Sequence, residues 1–194
     1  MCPRKEDFVK GHFYHIYNRG VNKSTIFFNS ANYEYCLSLI KKYQARYGIT
    51  VIAYCLMPNH YHLLVRQDGE IPVYRFINSI FNSYVQAVNR QRNRKGTLFE
   101  GRYQYVHVDR EEYLIHLCRY IHINPVKANL VSGPADWEYS NYREWINLRK
   151  RDLKDENFIN DFFHSPQEYW AFCEDYHEGF DKELRKLIEK YRID

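Results

Sequence analysis

The sequence has no apolar run of the roughly 18 residues that a membrane-spanning helix needs. Its first seven residues, MCPRKED, are charged where a secretory signal peptide would become apolar. These absences argue against a membrane protein and a secreted protein. We therefore expect a cytoplasmic location and no membrane partner.

Cysteine is scarce, and no two cysteines form a C-x-x-C pair. An odd number of widely spaced cysteines indicates neither a disulfide framework nor a structural zinc site. We expect reduced thiols, most of them in the core. The five are Cys2, Cys36, Cys55, Cys118 and Cys173.

Charge is unevenly distributed along the 194 residues, although the net charge is only +4. Residues 1–150 contain 21 Lys and Arg against 12 Asp and Glu, a net charge of +9. Residues 151–194 contain 7 against 12, a net charge of −5. The first part is basic enough to favour a polyanion such as nucleic acid, whereas the acidic tail is not.

Apolar periodicity predicts the elements. A strand is expected over 12–18, a helix from Asn29 or Ser30 to Gly48, a buried strand over 49–57, and a return strand after a turn at 58–59. A second helix is expected over 73–89, a strand over 103–109, and a third helix that ends near Asn124 because Pro125 disfavours helical geometry before it.

This β-α-β-β-α-β-α order is typical of an α+β, ferredoxin-like two-layer sandwich, with an antiparallel sheet and helices on one face. Apolar content of 45% and aromatic content of 18% agree with a globular domain. After about residue 135 the pattern weakens into short, acidic, amphipathic helices. We therefore predict one domain over 10–145 and an acidic helical C-terminal extension over 146–194.

His60 and His62 lie one residue apart at the start of the return strand. A strand alternates its side chains, so both imidazoles point to one face, where they could bind one metal ion. On spacing alone, two surface histidines on an uncovered sheet face are the better explanation. The pair is a weak signal by itself.

The third helix carries a tyrosine that its core does not need. Leu114, Leu117, Cys118 and Ile121 form the apolar stripe, whereas Tyr120 lies at its border. Asn124 follows one turn later on the same side. Tyr113 shares this helix face but has Leu117, and not a polar residue, at i+4.

The segments MPNHYHLLV (57–65) and RYIHINPVKANLV (119–131), inside this element order, resemble the single-tyrosine HUH transposases, in particular the REP-associated tyrosine transposases. The resemblance covers about residues 10–145. It implies that His60, His62 and Asn124 bind a divalent metal, Mg²⁺ or Mn²⁺, and that Tyr120 is the nucleophile. The softness of the imidazole and carboxamide ligands favours Mn²⁺, whereas the abundance of Mg²⁺ in the cell favours Mg²⁺.

The implied activity is that of a metal-dependent single-stranded DNA endonuclease and strand transferase. It would act on hairpin or palindromic DNA through a 5′-phosphotyrosine intermediate. That ester conserves the energy of the phosphodiester, so rejoining needs no ATP, and no G-x-x-x-x-G-K-S/T loop is present in the sequence.

DNA binding is expected of the basic part of the chain. A basic loop follows the second helix, and an arginine stands beside tyrosines on which unpaired bases could stack. The alternatives are a solvated helix end for the loop and ordinary strand packing for the tyrosines. The candidates are Arg90, Arg92, Arg94 and Lys95, then Arg102 and Tyr103, and finally Arg19 and Arg119.

Two alternatives remain open. One is a non-catalytic module that binds single-stranded nucleic acid through a ferredoxin-like domain. The other concerns assembly: insertion-sequence members of the family share the tyrosine helix between two subunits, whereas the added C-terminal segment here could favour a monomer. The sequence leaves monomer and homodimer unresolved.

Overall fold

The computed structural model of the chain describes residues 8–151 and 153–176. The strands are β1 (Phe13–Arg19), β2 (Ile49–Leu56), β3 (His60–Gln67) and β4 (Gln104–Val108). The helices are α1 (Ser30–Tyr47), α2 (Val73–Gln91), α3 (Glu111–Lys127), α4 (Tyr142–Trp145), α5 (Glu156–Phe162) and α6 (Pro166–Glu174), with short 3-10 turns at Val21–Lys23 and Pro134–Asp136. The predicted β-α-β-β-α-β-α order is confirmed.

Local signals set the ends of α1. The side chain of Asn29 accepts a hydrogen bond from the Asn32 N–H, which satisfies one of the free donors of the first turn. Gly48 ends the helix in the left-handed conformation, with a φ of 62°, which glycine adopts without the steric cost of a Cβ atom. Both residues were predicted from the sequence.

The four strands form one antiparallel sheet in the order β2-β3-β1-β4. This is the strand order of a ferredoxin-like sheet, and it places β3 and β1 in the centre. Because alternate residues face opposite sides, Tyr61 and Leu63 of β3 pack with α1 and α2 on one face. Leu64 belongs to the core on the other face.

The fold class is confirmed, but the expectation of helices on one face holds for α1 and α2 only. α3 packs on the opposite face with Leu117 and Ile121, against Ile52 and Leu64 of the sheet. Its apolar stripe needs a partner, and α1 and α2 already cover the first face. The sheet therefore lies between two helical layers.

The described part of the C-terminal extension is helical, as predicted, and packs on the same core as α3. Tyr169 and Cys173 of α6 are buried in that core. Asn141 ties the segment before α4 to the sheet: its side chain accepts from the Tyr54 N–H (2.8 Å) and donates to the Ile52 carbonyl (2.8 Å). Residues 177–194, the rest of the predicted extension, lie outside the described residues.

α3 continues through Pro125 to Lys127, so the predicted end near Asn124 is one turn too early. Proline removes a single helical N–H donor. The turn is kept by the Ala128 N–H, which donates to the Asn124 carbonyl (3.0 Å), and by the Leu130 N–H, which donates to the Pro125 carbonyl (3.0 Å). None of the helices in the described ranges is long and apolar enough to cross a bilayer.

A buried ion pair holds the segment around α4, and breaking it is expected to destabilise the protein. Glu144 is fully buried, with 0% exposure, and accepts two hydrogen bonds from Arg149, at 2.9 and 2.8 Å. Arg149→Ala should lower the free energy of unfolding by roughly 3–5 kcal/mol, because it leaves a buried carboxylate without its partner.

Urea denaturation measures this loss, and Lys150→Ala is the matched control. Lys150 is the exposed neighbour of Arg149, so its replacement should change the free energy of unfolding by about 0.5 kcal/mol or less. Equal stability of the two variants would contradict a structural role for the pair.

Candidate active site

The two histidines of β3 point to the sheet face that α3 covers. In the antiparallel register His62 lies opposite Tyr17 of β1 and Cys55 of β2, and His60 lies opposite Arg19. Their ring centroids are 5.1 Å apart, with the rings nearly perpendicular. The predicted common face is therefore present, and it is covered by a helix instead of open to solvent.

Asn124 of α3 meets both imidazoles. Its Oδ1 lies 3.2 Å from Nε2 of His60, and its Nδ2 lies 3.5 Å from Nε2 of His62. The two amide positions are interchangeable by a flip of the carboxamide. The two Nε2 atoms of β3 thus face the same carboxamide, although β3 and α3 are distant in sequence.

This set of three fits a divalent metal ion. Imidazole nitrogen and carboxamide oxygen both occur among the ligands of Mn²⁺ and Mg²⁺ in proteins. Three protein ligands leave coordination positions open for substrate oxygens. Within the described residues no cluster of three or more His, Cys, Asp or Glu could hold a metal. The Asn124 carboxamide, which lies within 3.5 Å of both Nε2 atoms, could serve as a third ligand beside the two histidines.

Partners behind the rings orient both histidines. Nδ1 of His60 lies 2.7 Å from Oδ1 of Asn59, and Nδ1 of His62 lies 3.1 Å from Nε2 of His15. When the Nδ1–H of a histidine donates to its partner behind the ring, the lone pair of Nε2 faces Asn124. Such partners fix the tautomer and ring orientation of metal-binding histidines.

Burial favours the neutral forms of His15 and His62. It lowers the pKa of His15 to about 3. It also lowers the pKa of His62 well below its usual value, with smaller contributions from His60, His15 and Lys127. Neutral imidazole is the form that binds metal. His15 was not predicted from the sequence, because its contact with His62 depends on the pairing of β1 with β3.

Tyr120 lies against the histidines. Its ring centroid is 5.6 Å from that of His62, edge to face, and the residue is 5% exposed. The ammonium of Lys127 lies 4.8 Å from the centre of the Tyr120 ring, brought there by the turn of α3 after Pro125. Lys127 was not predicted as a site residue, although it lies in the segment RYIHINPVKANLV.

Tyr113 lies elsewhere on α3. Its hydroxyl is 3.4 Å from Nη1 of Arg110, at the start of the helix. Seven residues separate it from Tyr120, about 10 Å along the helix axis. The structure brings Tyr120, and not Tyr113, into ring contact with His62.

The predicted DNA-binding residues are spread over several places. Arg90, Arg92 and Lys95 are exposed around the end of α2, where the guanidinium of Arg92 lies 4.1 Å from the ring centre of Phe28. Arg94 in the same loop is half-buried. The loop follows α2, which covers the face of the sheet opposite His60 and His62.

Arg19 and Arg119 differ in their surroundings. Arg19 ends β1 beside His60 and forms an ion pair with Glu100. Arg119 is 6% exposed and donates to the Phe172 carbonyl (3.0 Å), with its guanidinium over the Phe172 ring. The structure gives Arg119 the role of joining α3 to α6, in place of the predicted DNA contact. Arg102 and Tyr103 line a cavity on the α2 face.

Known proteins resemble this chain in sequence and in fold. A protein of Haemophilus influenzae named as a REP-associated tyrosine transposase is 25% identical over 184 residues, covering 86% of this chain and 96% of its own. A solved structure of a REP-associated tyrosine transposase bound to a REP hairpin superposes with a TM-score of 0.64 at 18% identity. It covers 80% of this chain and 94% of its own, which shows that the fold is shared.

The family model of IS200-like transposases matches residues 8–124. The matched segment runs from before β1 through most of α3, and so it contains both histidines, Tyr120 and Asn124. These comparisons confirm the resemblance seen in the sequence: the chain belongs to the IS200-like transposase family, and its relatives include REP-associated tyrosine transposases.

Proposed function

We propose that this protein is a divalent-metal-dependent single-stranded DNA endonuclease and strand transferase that acts on hairpin DNA. The observation that carries the proposal is the convergence of His60, His62 and Asn124 beside Tyr120 in one chain. The similar structure bound to a REP hairpin supports a hairpin as the substrate. A catalytic domain over residues 10–145 and an acidic extension over 146–194 are part of the proposal.

The residues have separate roles in the proposed reaction. His60, His62 and Asn124 would hold Mg²⁺ or Mn²⁺, which when bound supplies positive charge beside the scissile phosphate. The Oη atom of Tyr120 forms a bond to phosphorus while the bond from phosphorus to the 3′-oxygen breaks. The phenol proton passes to water, and the leaving 3′-oxygen takes up a proton from water. The products are a 5′-phosphotyrosine ester and a free 3′-hydroxyl. Attack by another 3′-hydroxyl reverses the step and joins two strands.

The test is the capture of the covalent intermediate. A 5′-fluorescent and a 3′-fluorescent single-stranded hairpin are incubated with the protein and Mn²⁺ or Mg²⁺, and the mixture is separated under denaturing conditions. The 3′-labelled fragment should migrate with the protein, whereas the 5′-labelled fragment should be released. EDTA should prevent both results. DNA binding without an adduct in either metal would support the non-catalytic binding module instead.

Lys127 is expected to assist the nucleophile. Its ammonium lies over the Tyr120 ring, so it favours the negative charge that the phenol oxygen develops before attack. Lys127→Ala should lower the single-turnover rate of adduct formation about tenfold, within the range of a partly exposed cation–ring contact. Lys127→Arg keeps the charge and should stay within about threefold of the native rate.

The rate is measured at saturating DNA, so that weaker binding does not contribute. A Lys127→Ala protein that binds DNA less tightly but reacts at the native rate would show that the ammonium contacts phosphate and does not act on Tyr120.

A further inference from the structure

A second site lies on the face of the sheet opposite the histidines. A cavity of about 280 Å³ opens between α2 and the segment 99–105, close to the low end of the roughly 300–1,000 Å³ typical of small-ligand pockets. Seven of its fourteen lining residues are aromatic. The cavity takes no part in the proposed cleavage reaction.

The walls combine aromatic rings with amides. Tyr74, Tyr103 and Tyr105 are half-buried, so each keeps part of its ring open. Asn78 and Asn82 are exposed, lie one turn apart on α2 and present their carboxamides on the same side. A carboxamide offers a donor and an acceptor together, which is how asparagine recognises the edge of a base.

The charge at the rim suits a nucleic acid. None of the fourteen described lining residues is acidic, and the exposed Arg102 stands at the cavity. The basic loop of Arg90 to Lys95 follows on the same helix that carries the two asparagines. Aromatic rings that hold a base by stacking, with cations nearby for its phosphate, form the usual binding surface for unpaired nucleotides.

The cavity and the histidines lie at the same end of the sheet. The segment that carries cavity residues is bridged to β1 between Phe99 and Gly20, next to Arg19, which pairs with His60. A single strand that passes over this end of the sheet can therefore contact both faces. A nucleotide in the cavity would be a different nucleotide from the one that is cleaved.

We infer that the cavity binds one unpaired nucleobase of the DNA substrate, stacked on its tyrosines and hydrogen-bonded by Asn78 and Asn82. The inference rests on the proposed action on hairpin DNA and assigns to the cavity the recognition of a base that flanks the hairpin. Recognition of that base and the chemistry of cleavage then reside on opposite faces of one sheet.

The test removes the base and the amides separately. The probe is a fluorescent single-stranded hairpin with unpaired nucleotides on both flanks, in which an abasic nucleotide replaces each flanking position in turn. Binding is measured by anisotropy for the native protein and for Asn78→Ala/Asn82→Ala. Gln86→Ala is the matched control, since Gln86 is an exposed amide on α2 that does not line the cavity.

One flanking position should weaken native binding about tenfold or more when it becomes abasic, the range of a single stacked base. The double variant should bind the intact hairpin several-fold more weakly and lose less affinity than the native protein when that position becomes abasic, because only the stacking on the tyrosines remains to be lost. Gln86→Ala should behave as the native protein. An abasic effect of equal size in the native and double-variant proteins would overturn the inference.

Covalent capture separates this outcome from a failure of the proposed function. At saturating DNA the double variant should still form the adduct, because Tyr120 and the histidines are unchanged. If the adduct forms but the abasic effect does not depend on Asn78 and Asn82, the cavity site is wrong and the proposed nuclease activity stands. If the abasic effect depends on the two asparagines but no adduct forms, the base site stands and the proposed nuclease activity is wrong.

Discussion

Tyr120→Phe is expected to eliminate the covalent protein–DNA adduct. The substitution removes one oxygen atom and keeps the ring that contacts His62. If the hydroxyl is the nucleophile, cleavage should fall by roughly 10⁴-fold or more, since the loss of a covalent nucleophile leaves little of the reaction. Denaturing electrophoresis of the labelled hairpin, with Mn²⁺ or Mg²⁺ present, measures both the adduct and the cleaved strand.

Tyr113→Phe is the matched control, because it makes the same change on the same helix. The Tyr113 hydroxyl lies near Arg110, about two turns from Tyr120. This variant should form the adduct at close to the native rate. Thermal unfolding of both variants checks that neither has lost its fold. An adduct that persists in Tyr120→Phe and disappears in Tyr113→Phe would reverse the assignment.

The parts of the fold that the sequence predicts well are those that local chemistry determines. Asn29 and Gly48 end α1 through a side-chain hydrogen bond and a left-handed backbone, both of which involve neighbouring residues only. The turn at Pro58 and Asn59 and the alternation after it likewise predict that His60 and His62 share a face. Such features need no knowledge of the rest of the chain.

Features that depend on distant contacts were missed or misplaced. The side of the sheet on which α3 packs follows from the coverage of the first face by α1 and α2, which no segment of α3 encodes. Its continuation past Pro125 depends on bonds made by residues after the proline. The contact of His15 with His62 requires the register of two strands 47 residues apart.

The same limit applies to charged residues. Arg119 stands next to Tyr120 in the sequence, and its charge alone favours a phosphate contact. In the fold it donates to the carbonyl of Phe172, on a helix more than 50 residues away. Charge in a sequence shows which residues could bind DNA, whereas packing determines which of them remain at the surface.

The second large effect is expected from His60→Ala. His60 supplies one of the two imidazoles that face Asn124. Its removal should weaken the binding of Mn²⁺ and lower cleavage by about 100-fold or more. This is a larger loss than the 10- to 100-fold that follows when a residue hydrogen-bonded to a metal ligand is replaced. Calorimetric titration with Mn²⁺ and the adduct assay measure the two losses. Binding of Mn²⁺ with unchanged affinity would place the metal elsewhere.

A mixture of His60→Ala and Tyr120→Phe proteins is expected to remain inactive. Each chain retains the group that the other lacks, so a site shared between two chains would recover cleavage. In the structure Tyr120 and Asn124 already meet the histidines of their own chain. Giving α3 to a partner would remove Leu117 and Ile121 from the core and break the Arg119 contact with α6.

That loss, about 1.5–3 kcal/mol for each buried leucine or isoleucine side chain, is recovered only if the partner's α3 takes the same place. A monomer that cleaves in cis requires no such cost. Native protein diluted with either variant gives the rate expected for independent chains and serves as the control. Cleavage in the mixture of variants at a measurable fraction of that rate would show that α3 crosses between subunits, and would make a homodimer the active form.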